Sequence, residues 1–114
     1  MADQCIFCKI ASGEIPVEFV AQNEHAVAFR DIEPKAPVHV LIVPRTHVAG
    51  FHEIASMPAA TTQSMLELID EVAKGQGIAE SGYRVVTNVG PDAGQTVFHL
   101  HWHLLGGTQL GGFA

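Results

Sequence analysis

Charge is scarce in this 114-residue sequence, with Asp, Glu, Lys and Arg together making up 16%. Basic residues are scarcer still: six face twelve acids, giving a formal net charge of −6. That balance removes the basic footprint by which a nucleic-acid binder is recognised. No stretch approaches the roughly 18 apolar residues of a membrane span. The opening "MADQCIFCKI" lacks the charged region and long apolar run of a secretory leader, so a cytoplasmic protein is expected. There is no internal repeat, low-complexity tract or linker. Neither G-x-x-x-x-G-K-[ST] nor G-x-G-x-x-G occurs, so the two standard phosphate fingerprints are missing. What remains is apolar: 47% hydrophobic residues and a mean hydropathy of +0.21. Such a chain is not disordered. Its length suits one domain over residues 1–114, with a core of its own and some apolar surface left for a partner subunit.

The pattern predicts short strands around one main helix. A short helix over 5–12 is stopped by Gly13 and Pro16. Strands follow over 17–23 and 25–31, then "EPKAP" breaks the chain. "VHVLIVP" (38–44) is a continuous apolar run, as expected of a strand covered on both faces. The main helix falls within 56–77, with Ser56 as N-cap and Pro58 in the first turn. Its Met65, Leu68, Ile69 and Val72 have the i, i+3, i+4, i+7 spacing of one buried face. Strands over 82–88 and 97–106 flank the turn-rich loop "VGPDAGQT". Without regular βαβ alternation, this reads as α+β with a mostly antiparallel sheet.

"HLHWHLLGG" places His99, His101 and His103 at alternate positions, with Leu100, Trp102 and Leu104 between them. On a strand the three imidazoles share one face at spacings of about 6.5 Å. A plain solvent-facing strand would carry Thr, Lys, Glu and Ser there. Imidazole is also a zinc ligand, but a third His at i+4 lies too far along a straight strand to join the first two easily. Beside the metal reading stands a nucleophilic one, in which the middle imidazole attacks and its neighbours support it. Imidazole, with an ordinary pKa near 6.5, has a free lone pair at neutral pH, and its phosphoryl adduct is labile to water. The preceding loop supports it: Gly90 and Gly94 let backbone N–H groups approach a phosphate, and Thr96 adds a hydroxyl.

These residues resemble the histidine triad, or HIT, superfamily. "HLHWHLL" matches its alternation of His with apolar residues. "CIFCKI", "AFRDIEPKAPVHVLIVPRTH" and "YRVVTNVGPDAGQTVFHLHWHLLGG" extend the likeness over nearly the whole chain. The "LGG" after the triad looks like the Hint branch, the purine nucleoside phosphoramidases. The resemblance implies a five-stranded antiparallel sheet with one long and one or two short helices. It also implies a two-fold dimer through the helix Met57–Lys74 and the "YRVVTN" strand. His101 would attack the α-phosphorus of a purine nucleoside 5′-phosphoramidate, an AMP–amine or AMP–lysine type conjugate, through a nucleotidyl–histidine intermediate. His103 would hydrogen-bond the phosphate, and Thr96 stands where this branch usually carries Ser. His39, a lone His in an apolar strand, would support the triad. Asn88, Gly94, Gln95 and Val97 would line the phosphate side, with Asp31 on the ribose hydroxyls and Ile32 at the base.

Cys5 and Cys8 form the only C-x-x-C. On residue type alone they are two packed thiols, a redox pair or half a zinc site. Zinc-carrying relatives with a similar motif imply a structural zinc on Cys5, Cys8, His47 and His99, with no cofactor needed for the chemistry. His52 is a spare for the His47 position, and His25 goes to solvent. Hint-type chains often end in a Trp-bearing tail, whereas this one ends "TQLGGFA", with Phe113 as a substitute. Rival readings are a dinucleoside polyphosphate hydrolase or nucleotidyl transferase of the same superfamily, a nucleotide-binding regulatory protein with vestigial catalysis, and a metal-binding module using the triad.

Overall fold

A computed structural model describes residues 4–112; Phe113, considered above, lies outside them. The short helix α1 is Ile6–Ala11, and Cys5 caps it by accepting the Cys8 N–H on its sulfur. Strands β1 (Ala21–Gln22), β2 (Ala26–Arg30) and β3 (Val38–Pro44) follow. A 3-10 turn over Phe51–Ser56 leads into the long helix α2 (Ala59–Gly75). The chain closes with β4 (Tyr83–Val86), a 3-10 turn over Pro91–Ala93 and β5 (Trp102–Gly106). The strands form one sheet in the order β1-β2-β3-β5-β4, antiparallel throughout, with β5 inserted between β3 and β4.

The alternation along β2 and β3 divides the core between two faces. Ala26, Ala28, Val40 and Ile42 join Leu100 and Leu104 under Met65, Leu68, Ile69 and Val72 of α2. Val27, Phe29, Leu41 and Val43 face the other way, against Phe7, Ile10 and Ala11 of α1. Both faces of β3 are therefore covered, which is why "VHVLIVP" is apolar without interruption. Trp102 and Leu104 point to the α2 core, so the alternating His103 lies on the α1 face with Leu41. No helix among the described residues is long and apolar enough to cross a membrane.

Four expectations need correction. The strand expected over 17–23 shrinks to Ala21–Gln22, a short edge paired only to β2. α2 starts at Ala59 after Pro58, whose carbonyl takes the Thr61 and Thr62 N–H groups. Ser56 belongs instead to the preceding turn, where its hydroxyl donates to the Glu53 carbonyl. The strand expected over 82–88 is limited to Tyr83–Val86. Most consequentially, the last strand begins at Trp102, not Val97. Beyond the Ile42–Trp102 pair the ladder would next need Pro44, which has no N–H. The Pro44 carbonyl is taken by the His99 ring, and the Leu100 N–H turns to the Val48 carbonyl. His99 and His101 thus stand on an irregular segment, bent at His99 and outside the ladder, and only His103 lies on the strand.

Leu68 is completely buried between α2 and the sheet. Leu68→Ala is expected to lose ~2–5 kcal/mol of unfolding free energy in urea titration. Glu71→Ala, on the exposed side of the same helix, should stay within about 0.5 kcal/mol of wild type.

Candidate active site and metal cluster

The triad puts its three imidazoles into different hydrogen-bonding situations. His101 is buried, and its Nδ1 lies 2.7 Å from the His99 carbonyl oxygen. A carbonyl only accepts, so Nδ1 carries the proton and Nε2 carries the lone pair. Nε2 has no hydrogen-bond partner among the described residues. The ring is fixed between Phe7, centroid 5.0 Å away, and His103, 5.1 Å away. Burial lowers its pKa, opposed by the bond to His99 and by the Asp31 charge, so the neutral form is favoured at pH 7.

The tautomer of His103 follows from a chain of donors. The Lys35 N–H donates to His39 Nδ1 at 3.0 Å, so neutral His39 carries its proton on Nε2. His39 Nε2 lies 2.9 Å from His103 Nδ1 and donates to it. His103 must then hold its own proton on Nε2, next to His101. Asp31 Oδ2 stands 3.4 Å from His39 Nε2, while Oδ1 accepts the Glu33 N–H at 2.8 Å. Asp31, His39 and His103 are close enough to hold a metal, but the Lys35 amide commits His39 Nε2 to donation. They act as a hydrogen-bond chain that leaves a donor on His103. Burial is the first cause of the lowered pKa of His39 and of His103, the latter pushed down to about 4.

Asp31, His39 and His103 also line a cavity of about 290 Å³ with Glu33, Lys35, Val86, Asn88 and Leu105. The structure therefore brings Asp31, His39, His103 and Asn88 to one hollow. Thr96 and Val97 lie in the wall of another, beside Cys5 and His47. Gly90 and Gly94 adopt φ of +81° and +85°, as the tight turns of this loop require of glycine. Ile32 is 95% exposed, so it forms no preformed wall for a base. Gln95 is buried, and its side chain is spent on main-chain partners: Gly90 N–H, Ala49 O and Val97 O. Nothing of its amide hydrogens is left for a ligand. Sequence reasoning missed both this and the Lys35 amide, since main-chain donors leave no residue-type signal.

On the α1 side, Cys5, Cys8, His47 and His99 offer Sγ and ring-nitrogen atoms all within 4.8 Å of one another. His99 Nε2–H donates to the Pro44 carbonyl at 2.9 Å, leaving the Nδ1 lone pair facing the others. From Nδ1 it is 3.0 Å to His47 Nδ1, 3.3 Å to Cys5 Sγ and 3.4 Å to Cys8 Sγ. Tetrahedral zinc, with bonds of about 2.0–2.3 Å, separates its donors by about 3.3–3.8 Å. Four donors of the right type, slightly contracted, with one His oriented from behind by a carbonyl, fit such an ion. Burial pushes the Cys8 thiol up to about 11 and His99 down to about 4. His47 fills the position for which His52 was the spare. His25, expected in solvent, is half-buried, with Nδ1 3.5 Å from the Thr61 hydroxyl.

A buried imidazole with a free Nε2, a backing histidine chain and a Cys–His cluster thus occur together beside one antiparallel sheet. The HIT domain family matches residues 12–110 of this chain. The purine nucleoside phosphoramidase of Escherichia coli (strain K12) is 40% identical over 111 residues, covering 97% of this chain and 93% of its own. The crystal structure of a HIT family hydrolase from Legionella pneumophila Philadelphia 1 is 43% identical, with a TM-score of 0.88 over 93% of this chain and 95% of that one. A histidine triad protein from Clostridium difficile superposes with a TM-score of 0.87 at 40% identity, covering 96% of each chain. The chain belongs to the HIT family and falls in its Hint-like phosphoramidase branch.

The lowered histidines set a pH dependence. In the unfolded chain His99 and His103 protonate near pH 6.5, and in the metal-free fold near 4. Between these values the unfolded state binds more protons, so stability is fully present above about pH 6.5 and is lost as pH falls toward 4. The urea midpoint of metal-free protein should fall from pH 7.5 to pH 5.5, and by less in His103→Gln. Equal midpoints at the two pH values would contradict the burial of these rings as neutral groups.

Proposed function

We propose that this protein hydrolyses purine nucleoside 5′-phosphoramidates, conjugates of AMP or GMP with an amine, through covalent catalysis at His101. One observation carries the reading: the His101 ring is held by its Nδ1–H on the His99 carbonyl, with Nε2 unpartnered beside His103. The similarity to the E. coli purine nucleoside phosphoramidase supports the choice of substrate. His101 Nε2 attacks the α-phosphorus, and the P–N electron pair leaves with the amine, which takes up a proton. Water then opens the N–P bond of the nucleotidyl–His101 adduct and releases the monophosphate. His103 Nε2–H donates to a phosphoryl oxygen as charge develops on it. His39 keeps His103 in that tautomer. Thr96 offers its hydroxyl to the phosphate or the leaving group, Asn88, Gly94 and Val97 border the phosphate, Asp31 takes the ribose hydroxyls and Ile32 closes over the base.

The same reading includes a structural zinc on Cys5, Cys8, His47 and His99, in a cytoplasm that keeps both thiols reduced. Such an ion would fix α1, and with it Phe7, against the triad. It also includes a single HIT domain over 1–114 that pairs into a two-fold dimer. The β4 edge supports pairing: Tyr83 and Val85 are 39% and 37% exposed there, and Leu66 of α2 is 46% exposed. A second copy would cover these apolar groups and satisfy the open strand.

Mass spectrometry of protein quenched during turnover of adenosine 5′-phosphoramidate should find AMP on the peptide carrying His101. His101→Gly should carry none, with kcat reduced at least 1,000-fold, about 4 kcal/mol of barrier. A wild type that turns over without the adduct would refute covalent catalysis. Turnover of diadenosine polyphosphate in preference to the phosphoramidate would favour the other enzymatic reading. Metal analysis should find about one zinc per chain in wild type and in His101→Ala, and little in Cys8→Ser. Light scattering should give twice the chain mass.

A further inference from the structure

Gln95 is 6% exposed and its amide is fully engaged with backbone. Its Oε1 accepts the Gly90 N–H at 2.8 Å. Its Nε2 donates to the carbonyls of Ala49 at 2.8 Å and Val97 at 3.1 Å. An amide flipped end for end would face its NH2 to the Gly90 N–H and its oxygen to two carbonyls, so only one orientation is compatible with these partners. The Gln95 main-chain N–H adds a fourth bond, to the Gly90 carbonyl at 3.0 Å.

These bonds tie together pieces that otherwise share no strand pairing. The loop 88–97 leaves the His103 cavity at Asn88 and ends at Val97, two residues before His99, so it brackets His101. Gln95 closes it on itself through Gly90 and Val97, then anchors it to Ala49. The anchor lies in a segment that holds other parts of the site. His47 enters the Cys–His cluster, and the Val48 carbonyl accepts the Leu100 N–H between His99 and His101. Immediately after Gln95, the N–H groups of Thr96 and Val97 and the Thr96 hydroxyl have no hydrogen-bond partner among the described residues. Thr96 and Val97 line a hollow beside Cys5 and His47, and free N–H and O–H donors in such a hollow suit an anion.

We infer that Gln95 is a positioning residue: without touching substrate, it holds the Thr96 and Val97 N–H groups where the transferring phosphoryl group needs donors. The inference rests on the proposed function only in taking that anion to be a nucleotide phosphate.

The test compares AMP with adenosine, which lacks the phosphate, in wild type, Gln95→Glu and Gln95→Met by calorimetry or NMR titration. Gln95→Glu keeps the shape and the acceptor for Gly90 but sets a carboxylate against two carbonyls; Gln95→Met keeps the bulk and neither function. AMP affinity should fall at least tenfold in both variants, adenosine affinity should stay within twofold, and zinc content should be unchanged. On adenosine phosphoramidate, kcat should fall at least 30-fold. AMP affinity within threefold of wild type, or parallel losses for AMP and adenosine, would overturn the inference. Amide exchange in the wild type gives a reading that needs no variant. The Gly90 amide should exchange slowly, and Thr96 and Val97 should be fast until AMP, but not adenosine, protects them. A fast Gly90, or no protection by AMP, would also overturn it. A wild type that binds AMP yet leaves the phosphoramidate intact would refute the proposed reaction while leaving this binding test valid.

Discussion

Everything in the site depends on His99 having two jobs at once. Its ring donates to Pro44 from Nε2 and turns Nδ1 to the two cysteines and His47. Its carbonyl, on the same residue, receives the Nδ1–H of His101. The place of the His99 ring in the cluster and the tautomer of His101 therefore meet at one residue. Rotation of the peptide after His99 would release the His101 Nδ1–H from its acceptor and the Leu100 N–H from Val48 together. The Cys–His cluster and the His101 imidazole are joined here through the side chain and main chain of one residue.

Low charge and burial complete the arrangement. Four imidazoles enclosed by Phe7, Leu41 and one another would be expensive to ionise. Burial accordingly heads the causes that hold His39, His99, His101 and His103 below the ordinary histidine value. Neutral rings at pH 7 then act by tautomer rather than by charge. Main-chain groups fix the tautomers: the Lys35 amide for His39, the Pro44 carbonyl for His99 and the His99 carbonyl for His101. The negative net charge of the chain is no obstacle to binding an anion, because the donors near the loop are N–H and O–H groups rather than lysines and arginines.

Much of this was legible in the sequence because side-chain type carried it. Alternation in "HLHWHLL" separated the imidazole face from the Leu100 and Leu104 core, the unbroken "VHVLIVP" announced a strand covered on both sides, and the periodicity of Met65, Leu68, Ile69 and Val72 gave the face of α2. The resemblance supplied the grouping of Cys5, Cys8, His47 and His99, which no local pattern could have chosen over His52. What stayed hidden were main-chain decisions. Pro44 was legible as the end of β3, but not as the reason why β5 begins three residues after His99. Ser56 has the chemistry of an N-cap, yet the 3-10 turn over Phe51–Ser56 claimed it first. Gln95 was placed on the phosphate side by the resemblance alone; only its partners reveal a strut.

Pro44 has a further consequence. A strand partner with a free N–H at that position would let β3 and the triad segment zip together by one more rung. The Leu100 amide and the Pro44 carbonyl would then be drawn into ordinary sheet, and His99 would lose the acceptor that aims it. Reactivity in this fold thus exists where the sheet is forbidden to finish, and a single imino acid is the stop that keeps it open.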